Sequence, residues 1–97
     1  MHLQVQSIHF DADQKLIDFI KDKMGKLTVF HDKIIGGEVY LRLDKSDVKA
    51  NKVAEIRLSI PGKDLFARKQ CKSFEEATDT AVEALRRQIR KYKTKAS

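Results

Sequence analysis

The 97-residue sequence predicts an α+β domain in the order β-α-β-β-β-α, with two helices packed side by side on one face of a four-stranded sheet. Three observations carry this expectation. Apolar residues recur at three- and four-residue spacing in two separate stretches; runs that alternate apolar and polar residues lie between them; and Pro61-Gly62 joins two of those runs by a turn short enough to make a hairpin. A chain of this length buries only about two-thirds of its unfolded surface around one core. Residues 1–97 are therefore read as a single domain.

The elements follow in order. Leu3 and Val5 alternate with polar neighbours in an opening strand. Leu16, Ile17, Ile20, Met24 and Leu27 form the stripe of helix one over Gln14 to Leu27, with Asp11 or Asp13 as its N-cap. After Gly36-Gly37, Val39, Leu41 and Leu43 alternate with Glu38, Tyr40 and Arg42, the two-residue period of a sheet covered on one face and open on the other. A polar connection runs from Asp44 to Lys52. Ala54, Ile56, Leu58 and Ile60 then resume the alternation up to the Pro61-Gly62 turn. The returning strand, Lys63 to Gln70, is expected to bury Leu65 and Ala67, with Phe66 on the opposite face. Helix two begins at the capping box Ser73-Phe74-Glu75-Glu76, in which the serine and the glutamate three residues on satisfy each other's backbone donors. Its stripe continues through Phe74, Ala77, Ala81, Leu85, Ile89 and Tyr92.

Composition bounds the function. The chain is 41% hydrophobic and 35% charged with one proline and four glycines, as in a globular domain. No apolar run approaches the roughly 18–20 residues of a membrane span, and Met1-His2-Leu3-Gln4 does not begin a signal peptide, so a cytoplasmic location is expected, with no membrane partner. The lone Cys71 cannot form an internal disulfide, which suits a reducing compartment.

Charge is unevenly placed. Of 20 Lys and Arg against 14 Asp and Glu, Arg86, Arg87, Arg90, Lys91, Lys93 and Lys95 fall in the last twelve residues without an acid, and the rest of the chain balances. One or two cations at a helix C-terminus complement its dipole at about 0.3–1 kcal/mol each, and Glu83 can pair with Arg86 and Arg87, but six exceed that need. At 100° per residue Arg86, Arg90 and Lys93 line one flank of the apolar stripe while Arg87 and Lys91 lie behind. On helix one Lys15, Lys23 and Lys26 share a flank, with Asp18 and Asp22 behind them. If the helices pack side by side the two sets merge into one basic surface, which is what a phosphate backbone requires.

Other chemistries find less support. His2, His9, His31 and Cys71 form no metal-ligand spacing, no Gly-rich phosphate loop is present, and His9 with Asp11 reads as a surface turn beside a helix cap. Cys71 precedes the N-terminus of helix two, where a thiolate is favoured, yet no base stands near it in sequence. The expectation is a non-enzymatic protein without cofactor, metal or small-molecule substrate. Membrane insertion is disfavoured because the stripe of helix two is alanine-spaced and needed to close the core. Phe19, Phe30 and Phe74 read as core or core-edge residues and Tyr40 as outward-facing. Backbone and shape recognition of RNA therefore fits better than base reading.

These residues together resemble the ribosome hibernation promoting factors, the family that includes protein Y and the sigma-54 modulation proteins. The resemblance spans nearly the whole chain: the opening strand ending in an acidic cap, Lys23-Met24-Gly25-Lys26-Leu27 followed by Phe30 and Lys33-Ile34, and helix two from Ser73 to Lys93. Its most specific part is Leu85-Arg86-Arg87-Gln88-Ile89-Arg90-Lys91-Tyr92-Lys93, and Ala77-Thr78-Asp79 is similar to the family's Ala-Ile-Asp element. The resemblance implies a fold similar to double-stranded RNA-binding domains with an added first strand. It also implies binding to the small ribosomal subunit in the channel for messenger and transfer RNA, so that translation stops and idle ribosomes are stored. By position it implies RNA contacts from Lys23, Lys26, Arg87, Arg90, Lys91 and Lys93, and Arg86 adds a cation where relatives vary.

Three departures stand out: Ser73-Phe74-Glu75-Glu76 replaces the family's Asp-Met-Tyr-Ala, Ala84 stands where relatives often carry lysine, and the loop from Asp44 to Lys52 is slightly long. The chain stops soon after helix two, so the resemblance is to the short members, without the C-terminal domain with which long ones dimerise ribosomes; a separate dimerising partner is left open. The alternatives are a general structured-RNA binder, or a protein-interaction regulator of transcription whose basic surface meets an acidic protein.

Overall fold

The structure, a computed structural model, describes residues 1–44 and 49–96, the last four of these by their backbone alone. Its elements are β1 (His2–Ser7), α1 (Gln14–Gly25) with a 3-10 turn at Lys26–Val29, β2 (Gly36–Leu43), β3 (Lys52–Ile60), β4 (Lys63–Cys71) and α2 (Phe74–Ala96). The sheet order is β1-β2-β3-β4, with β1 parallel to β2 and the other pairs antiparallel. The parallel pair follows from the crossover through α1, and the antiparallel pairs from direct connections. The expected β-α-β-β-β-α fold is the one observed.

Register places the alternating residues on a common face. Val39 pairs with Ile56, Ile56 with Ala67, and Leu58 with Leu65. All are buried, together with Leu41, Ala54 and Ile60. Leu16, Ile20, Met24 and Leu27 descend from the α1 side, and Phe74, Ala77, Ala81, Leu85 and Ile89 from α2, to complete one core. Each fully buried leucine or isoleucine contributes about 1.5–3 kcal/mol, so Ile20→Ala would cost about 2–5 kcal/mol once the cavity is included. Phe66 projects from the opposite face and is exposed, as the alternation requires.

Local chemistry sets the ends of the elements. Asp13, not Asp11, caps α1, its carboxylate accepting the Leu16 N–H at 2.8 Å. Ser73 Oγ accepts the Glu76 N–H at 3.0 Å and begins α2. The α-helical part of α1 stops two residues before the expected Leu27. There the Lys26 N–H turns to the carbonyls of Asp22 and Met24, and the Thr28 hydroxyl donates to the Gly25 carbonyl at 2.7 Å, which tightens the last turn to 3-10 geometry. Leu27 stays fully buried because the tightened turn still points it inward.

Two glycines have specific reasons. Gly62 follows Pro61 with φ +80°, a left-handed conformation that admits glycine without strain. At Gly37 a Cβ would lie 2.9 Å from Met24 Cε, so the missing side chain lets α1 approach the sheet. The basic half of α2 is tied to the β3–β4 turn. Gln88 Nε2 donates to the Phe66 carbonyl at 2.8 Å, Tyr92 Oη donates to the Pro61 carbonyl at 3.4 Å, and Lys63 Nζ lies 5.7 Å from the Tyr92 ring centroid. At its other end, Phe74 stacks on Phe10 with ring centroids 5.0 Å apart.

Candidate nucleic-acid interface

The two helices pack side by side, and a groove of about 330 Å³ runs between them. Lys23 and Lys26 line it from the α1 side and Arg86 from α2, over Leu27, Val29, Phe30 and Val82, with Asp79 and Glu83 also on its wall. A continuing hollow beyond Phe30 is lined by Arg86, Ile89 and Arg90. The merging of the two basic sets, conditional in sequence, is thus realised for Lys23, Lys26, Arg86 and Arg90.

The other nominated cations lie outside this groove. Arg87 lines a shallow hollow with Asp79, Thr80 and Glu83 on the outward ridge of α2. Lys91 lines another with Lys63, Asp64, Gln88 and Tyr92, on the hairpin side of the helix. The side chain of Lys93 falls outside the described residues, as do residues 45–48 of the long loop. At 100° per residue Arg86, Arg90, Arg87 and Lys91 cover an arc of about 140° on the basic half of α2, and its inner edge borders the groove that both helices share.

Ion pairs shape the electrostatics. Lys23 Nζ meets Asp79 Oδ1 at 3.1 Å and straps α1 to α2. Arg86 Nη1 lies 3.0 Å and 3.3 Å from the two Glu83 oxygens, the one of the two expected Glu83 pairings that forms among the described residues. Lys26 and Asp22 stand 3.7 Å apart within α1. These pairs are largely exposed, and such pairs contribute about 0–1 kcal/mol each, so they orient side chains more than they stabilise the fold. Arg87 and Lys91 have no carboxylate partner among the described residues.

Phe30 corrects the sequence-based expectation. It was expected at the core or its edge, but it is 37% exposed with the Arg86 guanidinium carbon 5.0 Å from its ring centroid. The 3-10 turn before it swings the ring out of the core to the rim of the groove, and leaves Val29 80% exposed beside it. Phe19 is half-buried with Lys23 Nζ 5.5 Å from its ring, and Phe74 is buried as expected. Neither Phe30 nor the Lys63–Tyr92 contact was among the candidate interface residues. The signal for Phe30 was available in the Gly25 and Thr28 that end the helix ahead of it.

The remaining polar groups have structural roles. His31 is buried, and its Nδ1 accepts the Lys33 N–H at 3.0 Å. On the open sheet face Tyr40 donates to Glu38 Oε2 at 2.7 Å. That bond, with partial burial and the negative charge of Glu38, holds the Tyr40 phenol above its ordinary titration range. Arg42 Nε lies 2.7 Å from Glu55 Oε1. Among the described residues no group of three or more His, Cys, Asp or Glu is placed to hold a metal ion, and no helix is long and apolar enough to cross a membrane.

Comparison with known proteins follows the same lines. The chain is 27% identical over 95 residues to the ribosome hibernation promoting factor of Pseudomonas putida, covering 98% of this chain and 89% of that protein. It is 30% identical over 99 residues to the ribosome hibernation promotion factor of Bacillus subtilis, covering all of this chain and 51% of that longer protein. Its fold is similar to that of a ribosomal subunit interface protein from Coxiella burnetii, with a TM-score of 0.86, 20% identity and coverage of 97% of this chain and 99% of the other. Residues 3–97 match the family described as sigma 54 modulation protein / S30EA ribosomal protein, and the chain belongs to that family.

Proposed function

We propose that the chain is a ribosome hibernation factor: a single, non-enzymatic ribosome-binding domain that acts in the cytoplasm. It occupies the channel for messenger and transfer RNA on the small subunit, which blocks translation and stabilises idle ribosomes. The observation that carries this reading is the convergence of Lys23, Lys26 and Arg86 from two helices on one groove, with Arg90 in the adjoining hollow and Arg87 and Lys91 nearby, in a chain of this family. Relatives named for ribosome hibernation support it.

The mechanism is occupancy. Lys and Arg neutralise ribosomal RNA phosphates and release their counterions, so affinity comes from charge and shape and falls steeply with salt. Arg87 and Lys91, one turn apart on the outer face of α2, meet one stretch of backbone, while the rim of the groove faces another. Lys93, whose side chain lies outside the described residues, is proposed as a further contact by the family resemblance alone. No bond is made or broken.

The test is co-sedimentation with small subunits and with whole ribosomes, beside a variant with Arg87, Arg90 and Lys91 changed to glutamate. The expected result is saturable binding near one copy per small subunit, lost in the folded variant. Failure of the well-folded wild type to bind would overturn the reading. Binding that naked duplex RNA competes away at equal nucleotide concentration would mark a general structured-RNA binder instead.

A further inference from the structure

The inter-helix groove is built for more than phosphate. A phosphate-binding surface needs cations and backbone donors. This groove has an apolar lining, from buried Leu27 and half-buried Val82 to a rim of Val29, 80% exposed, and Phe30, 37% exposed. Two carboxylates, Asp79 and Glu83, also stand on its wall. A phosphate drawn in by Lys23 and Arg86 would displace or repel the acids that already hold them, at 3.1 Å and 3.0 Å. A flat, uncharged group bearing N–H donors meets neither obstacle.

The shape fits such a group. The Arg86 guanidinium carbon lies 5.0 Å from the Phe30 ring centroid, held there by Glu83, and the two offer an aromatic face and a guanidinium side by side at the mouth of the groove. Unstacked RNA bases are recognised on such surfaces, by stacking on an aromatic ring or guanidinium plane and by hydrogen bonds to their exposed edges. The groove's volume of about 330 Å³ lies at the lower end of the roughly 300–1,000 Å³ of organic ligand sites. The cations around it would hold the phosphates on either side of an inserted base.

We propose that this groove takes one unstacked base of the bound RNA, stacked against Phe30 and Arg86, with its edge donors turned to the carboxylates of Asp79 and Glu83. Guanine suits it best, since its N1–H and N2 amino group present two adjacent donors to a carboxylate, where uracil presents one. This deepens the proposed ribosome-binding role and rests on it for the source of the base. It turns a surface that recognises charge into one that also recognises a particular nucleotide.

The experiment uses guanosine 5′-monophosphate, uridine 5′-monophosphate and ribose 5-phosphate as probes, added at millimolar concentration to the isotope-labelled full chain and followed by NMR. The expected result is saturable shifts of the Val29, Phe30, Val82 and Arg86 side-chain signals with the guanine nucleotide, weaker ones with the uracil nucleotide, and none of these with ribose 5-phosphate. Phe30→Leu keeps the apolar bulk without the ring and should weaken guanine nucleotide binding about fivefold or more, while Phe30→Trp retains it. Equal responses to all three probes, or full binding by Phe30→Leu, would overturn the proposal. Co-sedimentation of Phe30→Leu with small subunits separates the two readings. Weaker binding supports the base site, whereas unchanged binding alongside loss in the Arg87, Arg90 and Lys91 variant overturns the base site and leaves the ribosome reading standing.

Discussion

The ion pairs of the helix surface make the salt dependence of ribosome binding unequal among its cations. Arg87 lacks a carboxylate partner among the described residues, whereas Lys23 Nζ already sits 3.1 Å from Asp79. A cation without such a partner displaces counterions from RNA in full, and removing it should reduce the log-log slope of affinity against salt by about 0.7–0.9, within a wild-type slope of about −4 to −5 for six contacts. Over a fourfold range of salt that is about threefold in affinity for a single charge. Lys23→Gln combined with Asp79→Asn removes a pair with no net charge and should leave the slope nearly unchanged. The fold should survive it, because an exposed pair contributes under about 1 kcal/mol. The assay is binding to purified small subunits over a series of potassium concentrations at fixed magnesium, with Arg87→Gln and the double variant compared to wild type. An unchanged slope for Arg87→Gln, or an equal loss in the double variant, would refute the reasoning.

Three further predictions concern the scaffold. The Thr78 hydroxyl is fully buried with no hydrogen-bond partner among the described residues, so Thr78→Val, which keeps the shape, should stabilise the chain by about 1 kcal/mol and raise its melting temperature by about 4–8 °C; a fall would refute this. Ser73→Ala removes the acceptor of the Glu76 N–H and should cost about 1 kcal/mol in urea denaturation, with no measurable loss counting against the cap. Tyr40, whose pKa is raised by its bond to Glu38, should titrate nearer the ordinary tyrosine range in Glu38→Gln, read by phenolate absorbance in a Tyr92→Phe background. Because the folded value is raised, the stability linked to this proton is complete below the ordinary tyrosine range and is lost as pH climbs through the folded value. A Glu38→Gln titration identical to that of the parent would contradict the assignment.

The parts legible in sequence are those set by local periodicity. Val39-Tyr40-Leu41 and Ile56-Arg57-Leu58 state their inward and outward faces outright, Pro61-Gly62 fixes the hairpin, and Ser73 announces α2. Asp11 and Asp13 are both plausible caps until backbone geometry selects Asp13. Leu27 keeps helical spacing in a turn that is no longer α-helical, so its spacing conceals the end of α1. That concealment misplaced Phe30, whose side chain points where the 3-10 turn sends it. The angular positions of the cations on α2 were readable from 100° per residue, but not which neighbour each faces; Lys91 meets the hairpin and Arg86 meets α1. The Lys23–Asp79 strap joins residues far apart in sequence and leaves no local trace.

The bonds from Gln88 and Tyr92 to the β3–β4 hairpin determine the entropy of recognition. A free basic peptide with the sequence of residues 86–93 would spend about 1–2 kcal/mol of conformational freedom per residue on becoming helical at an RNA surface, and mutual repulsion of its cations would oppose that folding. In the intact chain the sheet bears this cost before any partner arrives. The charges stand at fixed positions on a formed helix, and binding does not have to await a disorder-to-order transition. The excised segment should therefore be a poor substitute for the domain, although it carries nearly all of the net charge.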